Sequence, residues 1–309
     1  MRWMVVATLV GSAASHAAPA PIDPAVAAWL FPPAPSRSSD PVFDTVTPLS
    51  VPGATTHFTE NQLHDMSRAV DWRPASHAPL PPAVARGEGA AFACGYCHLP
   101  AGEGRPENAS LAGLAPNYIE RQVAAFADGT RHAAMPDWMP TKFMALTAHN
   151  VTPAAVHAAA LYFNRIHFVS RVKVVEVAAV PAPVARAFLF MPTAGGAPEP
   201  IGNRIVEAPV DFERFERRDP DVGYIAYVPP SSLARGEAVM ARVGCPACHG
   251  AAMKAWGAGR SPSYIVRQLL AFQSGARHDA AAAPMTAVAG KLSTADMVDV
   301  AAYWASLKP

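Results

Sequence analysis

The sequence predicts a mainly α protein made of two copies of one helical domain, joined by a middle segment with a few short β-strands. One signature occurs twice, at residues 116–132 and 262–278: Pro-x-Tyr-Ile-x-Arg-Gln, then Ala-Phe, then Gly-x-Arg-His. A repeat this long and this ordered indicates a duplicated domain. The chain is 51% hydrophobic but only 8% aromatic, which suits small helical domains rich in alanine.

The first 18 residues resemble a secretory signal peptide. A basic start is followed by an apolar run at residues 4–10 and by Ser15-His16-Ala17, which resembles a cleavage site. The run is too short to cross a membrane, and no later run reaches that length. An apolar N-terminal arm is the alternative interpretation of these residues.

Residues 19–80 are rich in Pro, Ser and Thr, and we predict that they form an extended arm around the first domain. Two pieces of this N-terminal arm are expected to be ordered. Residues 25–31 form a small apolar patch, and Thr59 begins a segment with the pattern of a capped helix.

The pentapeptide Cys-x-x-Cys-His occurs at residues 94–98 and 245–249, and the two copies use all four cysteines of the chain. This is the attachment signature of a c-type haem. Two thiols about one helical turn apart add to the haem vinyl groups, and the adjacent histidine binds the iron. The sequence therefore predicts two haem c groups, held by Cys94, Cys97 and His98 and by Cys245, Cys248 and His249.

Three other uses of the cysteines fit the sequence less well. A thioredoxin-like motif is one Cys-x-x-Cys beside a strand and needs no histidine. Two Cys-x-x-Cys pairs can bind zinc, but here about 150 residues separate them and each is followed by His. Disulfides form in oxidising compartments, but they do not require the histidines either.

The first domain is predicted over residues 81–164. A first helix is expected to run from residue 85 into the pentapeptide, followed by a glycine-rich loop at 99–114. A second helix at 116–129 is predicted by apolar residues at helical spacing. After a methionine-bearing loop, Thr152-Pro153 begins the last helix, because proline costs nothing at the first helical position.

The second domain is predicted over residues 231–309 and repeats this order. Residues 234–237 open its first helix, and residues 261–275 form its second. Ser293 caps the last helix at 294–307, which has one apolar face.

The middle segment, residues 165–230, lies outside the repeat and is too long for a plain linker. Runs rich in Val, Phe and Leu predict strands at 168–180, 185–191 and 201–208. Gly195-Gly196 suggests a hairpin between the second and third. Residues 211–219 carry many charges of both signs. They are interpreted either as a solvated linker or as a strap that fixes the two domains or docks a partner. We favour a structural role.

The paired pentapeptides and their surrounding repeat resemble class I cytochrome c, and most closely the two-haem periplasmic cytochromes built from tandem domains. The resemblance covers about residues 82–164 and 231–307. It implies small all-α domains of three to five helices around a haem, with His and Met as the axial ligands of the iron. It also implies haem attachment outside the cytoplasmic membrane, so we expect a periplasmic protein.

The resemblance requires one methionine on the loop before each last helix. In the second domain this is Met285, because Met253 follows the histidine too closely to reach the opposite face. The first domain offers Met135, Met139 and Met144. Counting forward from Gly-x-Arg-His selects Met139, whereas counting back from the last helix selects Met144. We favour Met144, because the loop is held by packing on that helix.

Polar residues of the repeated signature have several possible roles. Arg131 and Arg277 are candidates for pairing with haem propionates, or are solvated helix ends. His132 and His278 are interpreted as surface or propionate-side residues, with ligation by two histidines as the alternative. A further set is expected to hydrogen-bond near the haem or across a domain interface: Tyr118, Gln122, Tyr264 and Gln268.

The predicted function is electron transfer between a redox donor and an acceptor. An iron with both His and Met ligands has no open position for substrate, so only its charge changes. The net charge of +1 argues against nucleic acid as a partner. One alternative is a permanent cytochrome subunit of a membrane-bound dehydrogenase or oxidase complex. An enzyme, either a dihaem peroxidase or a thiosulfate-oxidising cytochrome, is less favoured, since a Cys-ligated thiosulfate enzyme needs a fifth cysteine.

Overall fold

The computed structural model of the protein describes residues 22–33, 42–250, 253 and 256–309. The predicted signal peptide at residues 1–18 lies outside these ranges. The protein is mainly helical, with helices in both halves of the chain and small sheets between them, as the sequence predicts. Within the described ranges, no helix combines the length and the apolar character needed to cross a bilayer.

The helices of the first half are α1 (Pro24–Leu30), α2 (Glu60–Leu63), α3 (Pro82–Ala85), α4 (Cys94–Cys97), α5 (Pro116–Ala127), α6 (Met139–Asn150) and α7 (Pro153–Asn164). α1 and α2 confirm the two ordered pieces expected in the N-terminal arm. The Asp23 side chain caps α1, and Thr59 forms a capping box with Gln62 on α2. The Thr152 hydroxyl accepts a hydrogen bond at the start of α7, as predicted.

The predicted helix from residue 85 into the pentapeptide is wrong. α3 ends at Ala85, residues 86–93 are not helical, and α4 is a single turn. At the end of α3 the backbone pairs with the N-terminal arm instead. The backbone N–H of Ala69 donates to the Ala85 carbonyl at 2.9 Å. Gly89 has a φ of 56°, which the interior of a right-handed helix does not adopt.

The middle segment contains β1 (Val172–Glu176), β2 (Ala179–Pro181), β3 (Pro183–Arg186), β4 (Leu189–Pro192), β5 (Pro198–Pro200), β6 (Val206–Pro209), α8 (Phe212–Glu216) and β7 (Tyr224–Val228). β1 is parallel to β7, and β6 is antiparallel to β7 on its other side. β2 pairs with β5, and β3 pairs with β4, in two antiparallel ribbons.

The three predicted strands of the middle segment overlap observed strands, but the hairpin across Gly195-Gly196 is wrong. The strands on either side of that turn, β4 and β5, each pair with a different partner. The tight hairpin instead turns at Ala187 and Phe188, which have φ values of 48° and 66° without being glycine. The sequence therefore held no glycine signal for this turn.

The helices of the second half are α9 (Ser232–Val243), α10 (Pro246–His249), α11 (Pro262–Gln273), α12 (Ala283–Ala289) and α13 (Thr294–Ser306). α9, α11 and α13 lie where the repeat predicts them. Ser293 begins α13 with a capping box to Asp296. The two methionine-bearing stretches, expected as loops, are helical: they form α6 and α12.

The largest buried cluster crosses the predicted domain boundaries. It joins side chains of α11 and α13 with Leu30 of α1, Trp138 of the first domain and Val228 of β7. A second cluster packs Trp72 of the N-terminal arm against Tyr96 of α4. The arm therefore packs against both halves of the molecule, and not only around the first domain as expected.

The crossing of α9 and α13 depends on Gly236. A Cβ at this position would lie 2.1 Å from the backbone oxygen of Asp299. We expect Gly236→Ala to lower the free energy of unfolding by about 1–3 kcal/mol, because overpacking forces the two helices apart. Urea unfolding of the haem-loaded protein, followed by circular dichroism, measures the change.

Ala238→Ser, at an exposed position of the same helix, is the control for that measurement. It should change the free energy of unfolding by no more than about 0.5 kcal/mol. Equal stability of Gly236→Ala and the unsubstituted protein would contradict the close crossing.

Candidate functional site

The first pentapeptide forms the single turn α4 and ends at His98. The Nδ1 atom of His98 lies 2.7 Å from the carbonyl oxygen of Ala109, so Nδ1 carries the proton and Nε2 has the free lone pair. Burial lowers the pKa of His98, which favours the neutral imidazole that binds metals. Burial raises the pKa of Cys94 to about 12 and also raises that of Cys97, so both thiols are protonated in this fold.

Cys94, Cys97 and His98 line one large cavity with an empty volume of about 2000 Å³, its open mouth included. Much of its wall is apolar: Phe92, Leu99, Leu111, Leu114, Ile119, Val123, Phe126, Phe143, Val151, Val156 and Phe163. The wall comes from the loop after the pentapeptide and from helices α5, α6 and α7. The three residues of the pentapeptide are thus placed together against an apolar space, as haem attachment requires.

The methionines of the first domain differ in their relation to this cavity. Met144, on α6, lines it, whereas Met139 and Met135 are not among the residues of its wall. Met135 packs against the largest buried cluster instead. This arrangement supports Met144 as the second axial ligand, as the count from the last helix suggests.

The polar edge of the cavity carries positive charge. Arg131 is only 7% exposed and lines the cavity, and Arg277 beside it is 5% exposed. Among the described residues neither forms an ion pair, so the two buried guanidinium groups lack a counter-charge from the protein. The propionates of a haem would supply one. The thiol pair, the oriented imidazole, the apolar wall and these cations together fit a haem.

Arg131 and Arg277 join the two repeats rather than forming solvated helix ends, so that alternative is wrong. Arg131 donates to Gln122 at 2.6 Å and to Gln268 at 2.9 Å. Arg277 donates to the same two oxygens, at 2.7 Å to Gln122 and 3.0 Å to Gln268. Arg131 also donates to the hydroxyl of Tyr264 at 3.1 Å. We call these two arginines and two glutamines the interface network.

The tyrosine of the first repeat belongs to the same interface. Burial alone would raise the pKa of Tyr118, but Arg277 and Arg131 outweigh burial and lower it. The sequence left open whether these tyrosines and glutamines face a haem or each other. The structure shows that they meet across the interface, while Tyr118, Gln122, Tyr264 and Gln268 also line the first cavity.

The backbone adds a second connection at the same place. The N–H of His132 donates to the Ala276 carbonyl, and the N–H of His278 donates to the Thr130 carbonyl, both at 2.9 Å. The two imidazole centroids lie 6.5 Å apart, and His132 lines the first cavity. Equivalent residues of the two repeats therefore pair with each other in an antiparallel bridge.

The second pentapeptide is more open to solvent. Cys248 is exposed and Cys245 is partly buried, and burial raises the pKa of Cys245. The ring of His249 lies 4.9 Å from that of Trp304 on α13. Met285 lies on α12, where it packs with a small cluster that contains Phe272. None of these residues lines the cavity of the first pentapeptide.

The four cysteines do not form one metal site. In the part of the chain that the structure describes, no group of three or more His, Cys, Asp or Glu side chains is placed to hold a metal ion. Two Cys-x-x-Cys pairs sharing one zinc ion are therefore not supported by the geometry.

The middle segment contributes to the first site, which the sequence did not reveal. Arg218 lies over the ring of Tyr96 at 3.5 Å and donates to its carbonyl at 2.9 Å. The Trp72 indole donates to the Arg217 carbonyl at 2.8 Å. Further middle-segment residues line the cavity: Phe168, Val169, Arg171, Val172, Glu207, Pro220 and Tyr224. The density of charge at 211–219 was the only sequence signal for this strap, and these contacts support its structural interpretation.

No family model matches the sequence, and no curated protein matches it. Among solved structures, thiosulfate dehydrogenase (TsdBA) from Marichromatium purpuratum is similar, with 24% identity and a TM-score of 0.45 over 70% of this chain. This chain spans only 36% of that one. Cytochrome c4 from Acidithiobacillus ferrooxidans has 22% identity and a TM-score of 0.42, covering 69% of this chain and 98% of the other.

Cytochrome c4 from Pseudomonas stutzeri is also similar, with 18% identity and a TM-score of 0.41, covering 69% of this chain and 93% of the other. Two of these three structures are of cytochrome c4.

The interface network can be tested at Gln122, whose one oxygen accepts from both buried arginines. We expect Gln122→Leu to lower the free energy of unfolding by about 1–3 kcal/mol, because it leaves buried guanidinium donors unpaired. Arg121→Gln, an exposed change at the neighbouring position of α5, is the control and should have little effect. Thermal unfolding of both haem-loaded variants measures this difference. Equal stabilities of the two variants would show that the interface network does not stabilise the fold.

Proposed function

We propose that this protein is an electron carrier with two covalently bound haem c groups, which moves electrons between a redox donor and an acceptor. One observation carries the proposal most directly. The first Cys-x-x-Cys-His motif lies on the wall of an apolar cavity, with the proton of His98 bonded to the Ala109 carbonyl. That geometry leaves Nε2 of His98 available to an iron.

A bound haem supplies an iron that accepts and releases one electron, and the protein controls its surroundings. At the first site, Cys94 and Cys97 would hold the group and His98 would bind the iron. Met144, a methionine of the cavity wall, would be the second ligand. The apolar wall excludes water, and Arg131 offers its charge to the propionates.

At the second site the repeat assigns the equivalent roles. Cys245 and Cys248 would hold the second haem, and His249 and Met285 would bind its iron. The exposure of Cys248 places this site nearer to solvent than the first. The interface network holds the two repeats in one arrangement, so both haems belong to one unit.

The partners follow from this chemistry. An electron carrier needs a donor and an acceptor, periplasmic or membrane-bound, and exchanges electrons with them through small, transient interfaces. With two ligands on each iron, no coordination position remains for a substrate, which favours a carrier over an enzyme. We place the protein in the periplasm, because the N-terminal residues resemble a signal peptide and haem c is attached outside the cytoplasmic membrane.

The proposal predicts two haem groups per chain, both low-spin. Pyridine haemochrome absorbance against protein concentration counts the haems, and electron paramagnetic resonance of the oxidised protein reports their spin states. A stable high-spin haem in the resting protein would indicate an open coordination position and would contradict the carrier role. Copurification of another protein at high salt would instead indicate a subunit of a larger complex.

The ligand of the first haem is tested by Met144→Ala and Met139→Ala. We expect Met144→Ala to abolish the near-infrared Met–iron band of one haem and to lower its potential, because methionine raises the potential of a haem. Met139→Ala is the matched control from the same helix and should keep both bands. If neither substitution abolishes a band, the assignment of Met144 fails.

A further inference from the structure

Glu207, on β6, is a buried carboxyl group that neither repeat contains. It is only 3% exposed and lines the cavity of the first pentapeptide. β6 belongs to the middle segment, so the cytochrome-like repeats do not account for this residue. A carboxyl group is seldom fully buried unless it is paired.

The hydrogen bonds of Glu207 satisfy only one of its two oxygens. Oε2 accepts from the Ser261 hydroxyl at 2.7 Å and from the backbone N–H of Ser263 at 3.1 Å, at the start of α11. Oε1 is buried and has no hydrogen-bond partner. In the described structure Glu207 forms no ion pair, so its negative charge has no direct partner.

The charged and titratable groups that face Glu207 are few. Arg267 of α11 is a cation that acts on Glu207 electrostatically, but its two terminal nitrogens donate to the carbonyls of Leu30 and Pro106. Tyr224 lies on the adjacent strand β7, and burial and, to a smaller extent, Glu107 and Glu207 raise its pKa. Burial raises the pKa of Glu207, outweighing the two serines and Arg267, which lower it.

Two other carboxyl groups line the same cavity, and both differ from Glu207. Glu107 is ion-paired with Arg105 at 2.9 Å, so its charge is balanced. Burial raises the pKa of Glu103 as well, and its Oε2 is also buried without a hydrogen-bond partner, but this side chain is less completely buried than Glu207. Of the two carboxyl groups in this cavity that form no ion pair in the described structure, Glu207 is therefore the more completely buried.

We propose that Glu207 binds a proton when the first haem is reduced and releases it when that haem is oxidised. The inference rests on the proposed function, because it requires a haem at Cys94 and Cys97. The redox donor supplies one electron, which converts ferric to ferrous iron. Solvent supplies one proton, which converts the Glu207 carboxylate to a carboxylic acid. The charge of the cavity is then the same before and after the transfer.

The direction follows from electrostatics in a poorly solvated site. An added electron makes a neighbouring carboxylate less favourable, and two charges interact more strongly where protein rather than water surrounds them. Reduction therefore raises the pKa of Glu207 further. Between the pKa values of the oxidised and the reduced protein, the potential of the first haem falls as pH rises. Outside that window the potential is flat.

The test is a spectroelectrochemical titration of the haem-loaded protein across pH, with the first haem assigned by the shift that Met144→Ala produces. In the unsubstituted protein we expect the redox equilibrium constant of the first haem to change up to tenfold per pH unit, equivalent to 59 mV. Glu207→Gln should abolish this slope and hold the potential at the low-pH value. Glutamine can still accept from Ser263, so the fold is kept.

Glu107→Gln is the matched control, a change of a buried cavity carboxylate that is already paired, and it should keep the slope. An infrared difference spectrum gives an independent readout. Reduction should produce a carboxylic-acid carbonyl band in the unsubstituted protein and none in Glu207→Gln. A slope that persists in Glu207→Gln, or that disappears in Glu103→Gln instead, overturns the inference. Absence of haem from Cys94 and Cys97 would overturn the proposed function as well.

Discussion

Two buried guanidinium groups, Arg131 and Arg277, constrain how the two halves of this molecule meet. Burying two like charges side by side is unfavourable unless every donor finds an acceptor and a counter-charge lies nearby. Gln122 and Gln268 meet most of the first need, because each oxygen accepts from both arginines, while the buried Nε of Arg277 has no hydrogen-bond partner. The counter-charge has to come from a group bound in the adjacent cavity, because neither arginine forms an ion pair among the described residues. The halves are thus positioned by groups that also require an anion there.

This constraint explains why the signature is repeated so closely. Gln122 and Arg131 come from one copy, and Gln268 and Arg277 come from the other, so each copy provides one glutamine and one arginine. The bonds from Arg131 to Gln268 and from Arg277 to Gln122 cross between the copies. The sequence predicted α5, α11 and α13 correctly, because their apolar spacing and caps are local properties. It could not decide whether the polar residues face a haem or each other, since periodicity defines the face of a helix but not what lies opposite it.

The error at residues 86–93 has a physical cause. Residues 86–93 carry the repeat's opening pattern, but the N-terminal arm bonds to the chain at Ala85 and tertiary pairing overrides helix formation. The same limit applies to the candidate site. The Cys-x-x-Cys-His motif identified Cys94, Cys97 and His98 from spacing alone, whereas Glu207 and Arg218 reach the site through long-range packing that no local pattern encodes.

The coverings of the first site have a consequence for the molecule as a whole. Duplication alone would produce two interchangeable ends. The arm and the middle segment were not duplicated, and both add their walls and contacts to the first pentapeptide, while Cys248 of the second remains exposed. The two sites therefore differ in their exposure to solvent. Under the proposed function, a partner arriving from solvent meets the second haem first, and the first haem is covered by the N-terminal arm and the middle segment.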